Sequence, residues 1–270
     1  MNLAAAGPAW LFCPADRPER FAKAAAAADV VVLDLEDGVA PADRPAAREA
    51  LQRNPLDPAR TVVRVNPSGT EEQARDLAAL AGTGYTTVML AKTESAAQID
   101  GLAPRRVVAL VETPRGVVFA AEIAAAQATV AMMWGAEDLI AAIGGGSSRR
   151  DDGGYRDVAR HARSTTLLAA AAFGRLALDA VHLDIADLAG LRGEALDAAA
   201  VGFGATVCIH PSQVPVVRDA YRPAADRLDW ARRVLAAAQH ERGVFAFEGQ
   251  MVDSPVLRHA EAVLRRAGRN

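Results

Sequence analysis

Residues 107–135, VVALVETPRGVVFAAEIAAAQATVAMMWG, contain one whole strand–helix–strand unit. The run 107–111 is continuously apolar and rich in valine, as in a parallel strand buried on both faces. Residues 115–126 carry Val, Phe and Ile at helical spacing among alanines, which are strong helix formers. A second apolar run, 130–135, follows. The same alternation recurs outward in both directions, with strand-like runs at 10–14, 30–35, 61–66, 87–91, 180–184 and 206–210, making eight in all. Helical stretches such as 19–28, 71–80 and 157–174 lie between them. Regular βα alternation is compatible with a closed barrel or an open doubly wound sheet. A doubly wound dinucleotide binder carries a glycine-rich turn after its first strand. Here the first strand runs instead into Cys13-Pro14-Ala15-Asp16-Arg17-Pro18. The expected fold is therefore α/β, a (β/α)₈ TIM barrel, for which 270 residues is a typical length.

The barrel is expected to occupy residues 1–222, and residues 223–270 exceed what it needs. This tail reads as a helix over 226–240, the stretch GVFAFEGQMVD at 243–253, and a last helix over 255–267. It is expected to form a C-terminal helical lid or a subunit contact, with Phe245-Ala246-Phe247 as an apolar anchor between glycine hinges at Gly243 and Gly249. After the sixth strand, residues 144–154 (GGGSSRRDDGG) read as a flexible loop, too polar and glycine-rich to pack.

Composition excludes several function classes. The chain is 51% hydrophobic and 23% charged, with a net charge of −3. Basic runs such as Arg149-Arg150 are too short for a nucleic-acid tract, so no nucleic-acid partner is expected. Cys13 and Cys208, each in an apolar strand-like stretch, read as buried reduced thiols. Neither a signal peptide nor a run of about 20 apolar residues is visible, so no membrane partner and a cytoplasmic location are expected.

In a parallel barrel the C-terminal ends of the strands face the pocket. Polar residues concentrate there: Asp34-Leu35-Glu36-Asp37, Arg64 and Asn66, Lys92, Glu112, Glu137-Asp138, Asp184 and His210. Glu112 and Asp138 come from neighbouring strands, about 4.8 Å apart, and two carboxylates that close repel unless protonated or bridged by a cation. With no His/Cys cluster beside them the site suits Mg²⁺, with Mn²⁺ as a substitute. A proton-sharing carboxylate dyad is the alternative. Arg64 reads as a carboxylate clamp because its fork matches a carboxylate bidentately, or as the partner of Glu36 or Asp37. Lys92 is expected to pair with carboxylates rather than form a Schiff base. His210 reads as a structural hydrogen-bonding residue, Asp184 and Asp187 as a strand end followed by a helix cap, and Trp134 as core or pocket wall.

At these same residues the sequence resembles a known family. WLFCPADRPERFAKA, VVLDLEDGVAPADRPAAR, VVRVN, VMLAK, ALVETPRGV, WGAEDL, HLDIADLAGLR, VCIHPSQ and VFAFEGQMVDSP together resemble the citrate lyase β-subunit-like (CitE-like) branch of the HpcH/HpaI aldolase family. The resemblance covers nearly the whole chain; Cys13 and Ala15 depart from the Val and Gly common in that family. It implies a (β/α)₈ barrel, commonly a homotrimer, that handles acyl-CoA or acyl-carrier thioesters with a metal-bound 2-oxo acid. It further implies that Glu112 and Asp138 bind Mg²⁺ and that Arg64 orients substrate oxygens. Glu36 and Asp37 would support metal-bound waters, and backbone amides near Gly135-Ala136 would cradle a substrate carboxylate. Asp253 would reach a neighbouring subunit's site, where it exchanges a proton at the acetyl carbon.

The function expected is Mg²⁺-dependent cleavage of a 3-hydroxyacyl-CoA, such as citramalyl-CoA or malyl-CoA, into acetyl-CoA and pyruvate or glyoxylate. The alternatives are a citryl-thioester lyase subunit working inside a complex, a malate-synthase-like condensing enzyme or thioesterase, and a binding module without turnover.

Overall fold

The computed structural model describes residues 3–241 and 243–268. Eight parallel strands close into a barrel in sequence order: β1 (Ala9–Pro14), β2 (Val30–Asp34), β3 (Thr61–Val65), β4 (Thr87–Leu90), β5 (Arg106–Val111), β6 (Thr129–Trp134), β7 (Leu176–Asp179) and β8 (Ala205–Cys208). β1 closes the ring, with Trp10 opposite Val30 on one side and Val207 on the other. Between strands the chain returns through α1 (Phe21–Ala27), α2 (Arg44–Arg53), α3 (Glu71–Leu80), α4 (Ala96–Asp100), α5 (Pro114–Val118), α6 (Ala120–Ala125), α7 (Ala136–Ala142), α8 (Asp157–Ala172), α9 (Leu188–Val201) and α10 (Val214–Tyr221).

Alternation along each strand explains the apolar runs. Val30, Val32, Val62, Met89, Val108, Leu110, Met133 and Val207 fill the barrel interior. Their neighbours Val31, Leu33, Val63, Leu90, Val107 and Ala109 pack outward beneath the helices. Both faces are buried, so apolar side chains dominate the middle of each strand, and polar ones sit mainly at the strand ends. The stretch expected as one helix over 115–126 is interrupted at Phe119.

The seventh strand corrects the sequence reading. β7 is Leu176–Asp179, not 180–184, and residues 180–184 run as irregular backbone. Gly174, at φ 63, turns the chain left-handed just past α8, so it enters the strand at once. Asp179 then ends the strand, held by Trp134 and Arg163.

The tail comprises α11 (Ala225–Ala238), β9 (Phe245–Phe247), β10 (Gln250–Val252) and α12 (Ser254–Ala267). The expected anchor between hinges is an antiparallel hairpin that turns at Glu248 and Gly249, both at positive φ (49 and 78), as a type I′ turn requires. Ala231, Val234, Val252, Ala260 and Val263 give the tail a small core of its own. A groove of about 640 Å³ separates α12 from the segments that enter β1 and β8, with Pro8, Gly202 and Phe203 in its wall. That places the end of α12 at the N-terminal foot of the barrel. The groove's arginines are engaged: Arg266 Nη1 donates to the Ala199 carbonyl at 2.6 Å, Arg265 meets Glu261 at 3.5 Å, and Arg227 stacks over Trp230 at 4.3 Å.

Cys13 and Cys208 are free and buried, and burial pushes their thiols up to about 11 and about 12. Among the described residues no helix is long and apolar enough to cross a membrane.

Candidate active site

Asp34, at the end of β2, organises the rim. It lies opposite Arg64 in the β2–β3 register, and its carboxylate accepts from Arg64 Nε and Nη2, both at 2.6 Å. It also accepts from the Glu36 and Gly38 amides at 2.9 and 2.8 Å. A Cβ at position 38 would sit 2.3 Å from Asp34 Oδ2, so this turn requires glycine. Arg64 does reach Glu36, with Nη1 at 3.0 Å from Oε2, but its principal partner is Asp34, and Asp37 pairs elsewhere. The Phe12 ring lies 4.7 Å from the Arg64 guanidinium carbon. One edge of the fork is thus taken by Asp34, which leaves the Nη1 side toward Glu36 and the mouth.

Lys92 follows β4 in the left-handed region, at φ 51. This places its amide 3.0 Å from Glu112 Oε1, to which it donates. Its ammonium contacts Glu36, with Asp37 at 3.1 Å and Asp138 at 3.3 Å. Burial favours the neutral amine, but Glu36, Glu112 and Asp138 outweigh it and raise the pKa above the usual lysine value. A Schiff-base lysine needs the opposite shift, so Lys92 is an ion-pairing residue, as expected. The same ammonium holds Asp37 below the ordinary carboxylate range against partial burial, whereas burial lifts Glu36 above it despite Arg64 and Lys92.

Glu112 ends the β5 segment at 3% exposure. Gly135 makes room for it, since a Cβ there would stand 2.8 Å from Glu112 Oε2. Burial and then the Asp138 charge raise its carboxyl to about 8, against Lys92 and Arg64. Asp138 sits in the first turn of α7. Among the described residues no three His, Cys, Asp or Glu side chains converge as a complete cage. The oxygen-only pair suits a hard cation that keeps waters and substrate oxygens in its shell, and the raised Glu112 pKa reflects first its burial and then the neighbouring Asp138 charge.

Of the two amides expected to cradle a substrate carboxylate, that of Gly135 donates to the Val111 carbonyl at 3.1 Å and is consumed by the barrel ladder. Ala136 opens α7, where amides lack intrahelical acceptors. His210 caps the turn at Pro211–Gln213, and Asp187 caps α9 by accepting from Gly190 at 2.8 Å. Trp134 is fully buried. Asp253 caps α12, accepting from Val256 at 3.3 Å, and is not among the residues gathered around Lys92.

Three features escaped the sequence reading. Asp179 accepts from Trp134 Nε1 at 2.6 Å and from Arg163; the apolar alternation directly after Gly174 was its signal. Asp34 was visible only as one acid among three near the second strand's end. The loop 144–154, expected not to pack, is fastened: Ser148 is buried, its Oγ donates to Glu137 at 2.6 Å, and Arg149 is paired with Glu194. These partners lie far apart in sequence and leave no local pattern.

A family model described as HpcH/HpaI aldolase/citrate lyase matches residues 9–211. A citrate lyase subunit beta-like protein of Mycobacterium tuberculosis is 77% identical over 268 residues, covering 99% of this chain and 98% of that protein. The human mitochondrial citramalyl-CoA lyase is 30% identical over 266 residues, covering 86% of this chain and 77% of that protein. The crystal structure of CitE from M. tuberculosis in complex with magnesium, acetoacetate and coenzyme A matches with a TM-score of 0.96 at 77% identity, covering 98% of this chain and all of that one.

Proposed function

This chain belongs to the HpcH/HpaI aldolase/citrate lyase family, and from that premise we infer a Mg²⁺-dependent carbon–carbon lyase of CoA thioesters. It cleaves a 3-hydroxyacyl-CoA such as citramalyl-CoA or malyl-CoA into acetyl-CoA and a 2-oxo acid, pyruvate or glyoxylate. The observation that carries this reading is the Glu112–Asp138 carboxylate pair on the rim beside Arg64 and Lys92. Glu112 and Asp138 would hold the ion, which when bound supplies Lewis-acid stabilisation of developing negative charge. Arg64 presents its remaining donors to the substrate oxygens as charge builds on them. Glu36 and Asp37, held by Lys92 and Arg64, would accept hydrogen bonds from waters beside the ion. A cavity of about 320 Å³ between the ends of β1 and β8 is lined by Arg20 and Lys23, cations suited to the phosphates of CoA. Two free thiols, buried and unpaired with one another, are consistent with a reducing compartment such as the cytoplasm.

Incubating the protein with Mg²⁺ and a panel of free hydroxyacyl-CoA thioesters, followed by mass spectrometry, tests the assignment. Acetyl-CoA with a matching 2-oxo acid is expected from at least one of them. No turnover of any free thioester would point to a carrier-bound substrate instead.

The tail, residues 223–270, is read as an arm that completes a neighbour's site in a homotrimer. Supporting this, α12 ends at the foot of its own barrel, while Glu112 lies at the opposite rim. Val244 and Met251 on the arm are 64% and 67% exposed. Asp253 then delivers or removes the proton at the acetyl carbon. Asp253→Ala is expected to keep metal binding and lose proton exchange at the methyl group of acetyl-CoA, read by deuterium incorporation. Mixed with excess Glu112→Ala subunits it should regain part of its activity, because hybrids combine an intact barrel with an intact arm. Failure to complement, with subunit exchange verified, would leave Asp253 as a helix cap.

A further inference from the structure

The loop after β6 is tied down twice, and both ties are built from buried or paired groups. On one side Ser148, 2% exposed, donates from Oγ to Glu137 Oε1 at 2.6 Å. Glu137 is the residue before Asp138 in the first turn of α7. On the other side the next residue, Arg149, grips Glu194 of α9 with both Nη atoms, the Nη2–Oε2 contact being 3.2 Å. Arg149 also donates to Tyr155 Oη at 2.7 Å and stacks over the same ring at 4.0 Å. Glu194 is held in turn by His182, 7% exposed, whose Nδ1 donates to Oε2 at 2.9 Å. Tyr155 packs edge-on against Trp134 at the end of β6, 5.1 Å between centroids. Glu194, Arg149, Ser148 and Glu137 thus connect α9 to the turn that carries Asp138, Arg149 and Ser148 being joined through their shared peptide bond.

We propose that Ser148 is a positioning residue for the metal site: anchored by Arg149, Glu194 and His182, it fixes Glu137 and with it the backbone turn that aims Asp138. The chemistry of the segment fits this role. α7 is a short helix, seven residues from Ala136 to Ala142, entered through Gly135, with no side-chain cap on its first turn. The Ser148 hydrogen bond leaves the amides of that uncapped turn as they are, but it tethers the Glu137 side chain from outside the helix and so limits rotation of the turn. Groups that orient a metal ligand from behind commonly change metal affinity about 10–100-fold when removed. The loop expected to be flexible is, on this view, a brace.

The proposal rests on reading Asp138 as a metal ligand, and the experiment separates the two. Mn²⁺ serves as the probe, its dissociation constant measured on the substrate-free full chain by electron paramagnetic resonance, alongside thermal melting. Ser148→Ala should weaken Mn²⁺ binding about tenfold. Glu137→Ala, at an exposed position where folding is not at risk, should do the same. Ser148→Thr and Glu137→Gln each keep the donor–acceptor pair and should restore near-wild-type affinity; a general charge effect would make Glu137→Gln as weak as Glu137→Ala. The double Ala variant should be no weaker than either single one, since the two remove the same bond. Wild-type affinity in both Ala variants, with Asp138→Ala defective, would overturn the brace and leave the metal assignment standing. Wild-type affinity in Asp138→Ala as well would remove the metal assignment itself.

Discussion

Glu112→Ala and Asp138→Ala should each lower Mg²⁺-dependent turnover by at least ~10³-fold, about 4 kcal/mol of lost transition-state stabilisation, while the barrel stays folded. Neither side chain belongs to the apolar layers that hold the barrel, and the strand ladders do not use them. The wild-type protein should also show a diagnostic pH dependence. Glu112 titrates at about 8 because of its burial and then Asp138, and a carboxylate must lose its proton to bind a cation. Mg²⁺ affinity is therefore expected to fall about tenfold per unit as pH drops below about 8, and to level off above it. The effect on folding has the opposite slope. With the folded value raised from 4.5 to about 8, the unfolded chain releases this proton first, so metal-free stability declines as pH rises from about 4.5 through 8. Glu112→Gln cannot ionise and should lose that decline together with its metal affinity. Calorimetric titration at several pH values, with melting curves in parallel, checks both slopes. Unchanged affinity and rate in Glu112→Ala would refute the assignment.

Arg64→Lys should reduce kcat/KM by about 10²-fold, about 3 kcal/mol, although the charge is kept. The guanidinium spans Asp34 through Nε and Nη2 and reaches Glu36 through Nη1, and a single ammonium cannot do both. Asp34 would lose two of its four donors, loosening the turn that places Glu36 and Gly38. The Phe12 ring would lose its flat partner. The loss should fall largely on kcat, because the donors that remain toward the mouth serve charge that develops during reaction. Near-normal kcat with only a lowered melting temperature would make Arg64 a structural ion-pair residue.

The parts of this molecule legible in sequence are those governed by period and position. Seven of the eight strands could be found because a strand buried on both faces is apolar without interruption, and Glu112, Lys92 and Arg64 stood out as the charges terminating such runs. The seventh was displaced because Ala180-Val181-His182-Leu183-Asp184 has the composition of a strand, whereas Leu176-Ala177-Leu178-Asp179 is short and abuts a helix. Composition alone does not rank two adjacent β-like segments; the left-handed Gly174 decides between them. The partners of each charge were less visible. Arg64 faces Asp34 because of the register between β2 and β3, and Arg149 meets Glu194 because the 144–154 loop lies against α9. Both depend on how separate elements are laid side by side, which no local window of sequence contains.

Lys92 carries one more implication. Its ammonium already touches Glu36, Asp37 and Asp138, and its amide holds Glu112. The acidic mouth therefore contains a resident placeholder charge, supplied by the chain and impossible to wash out. A cell starved of magnesium would idle this catalyst without dismantling it: the carboxylates remain tethered rather than flung apart by mutual repulsion. On the proposed assignment, an ion that returns meets ligands already held near one another by the chain.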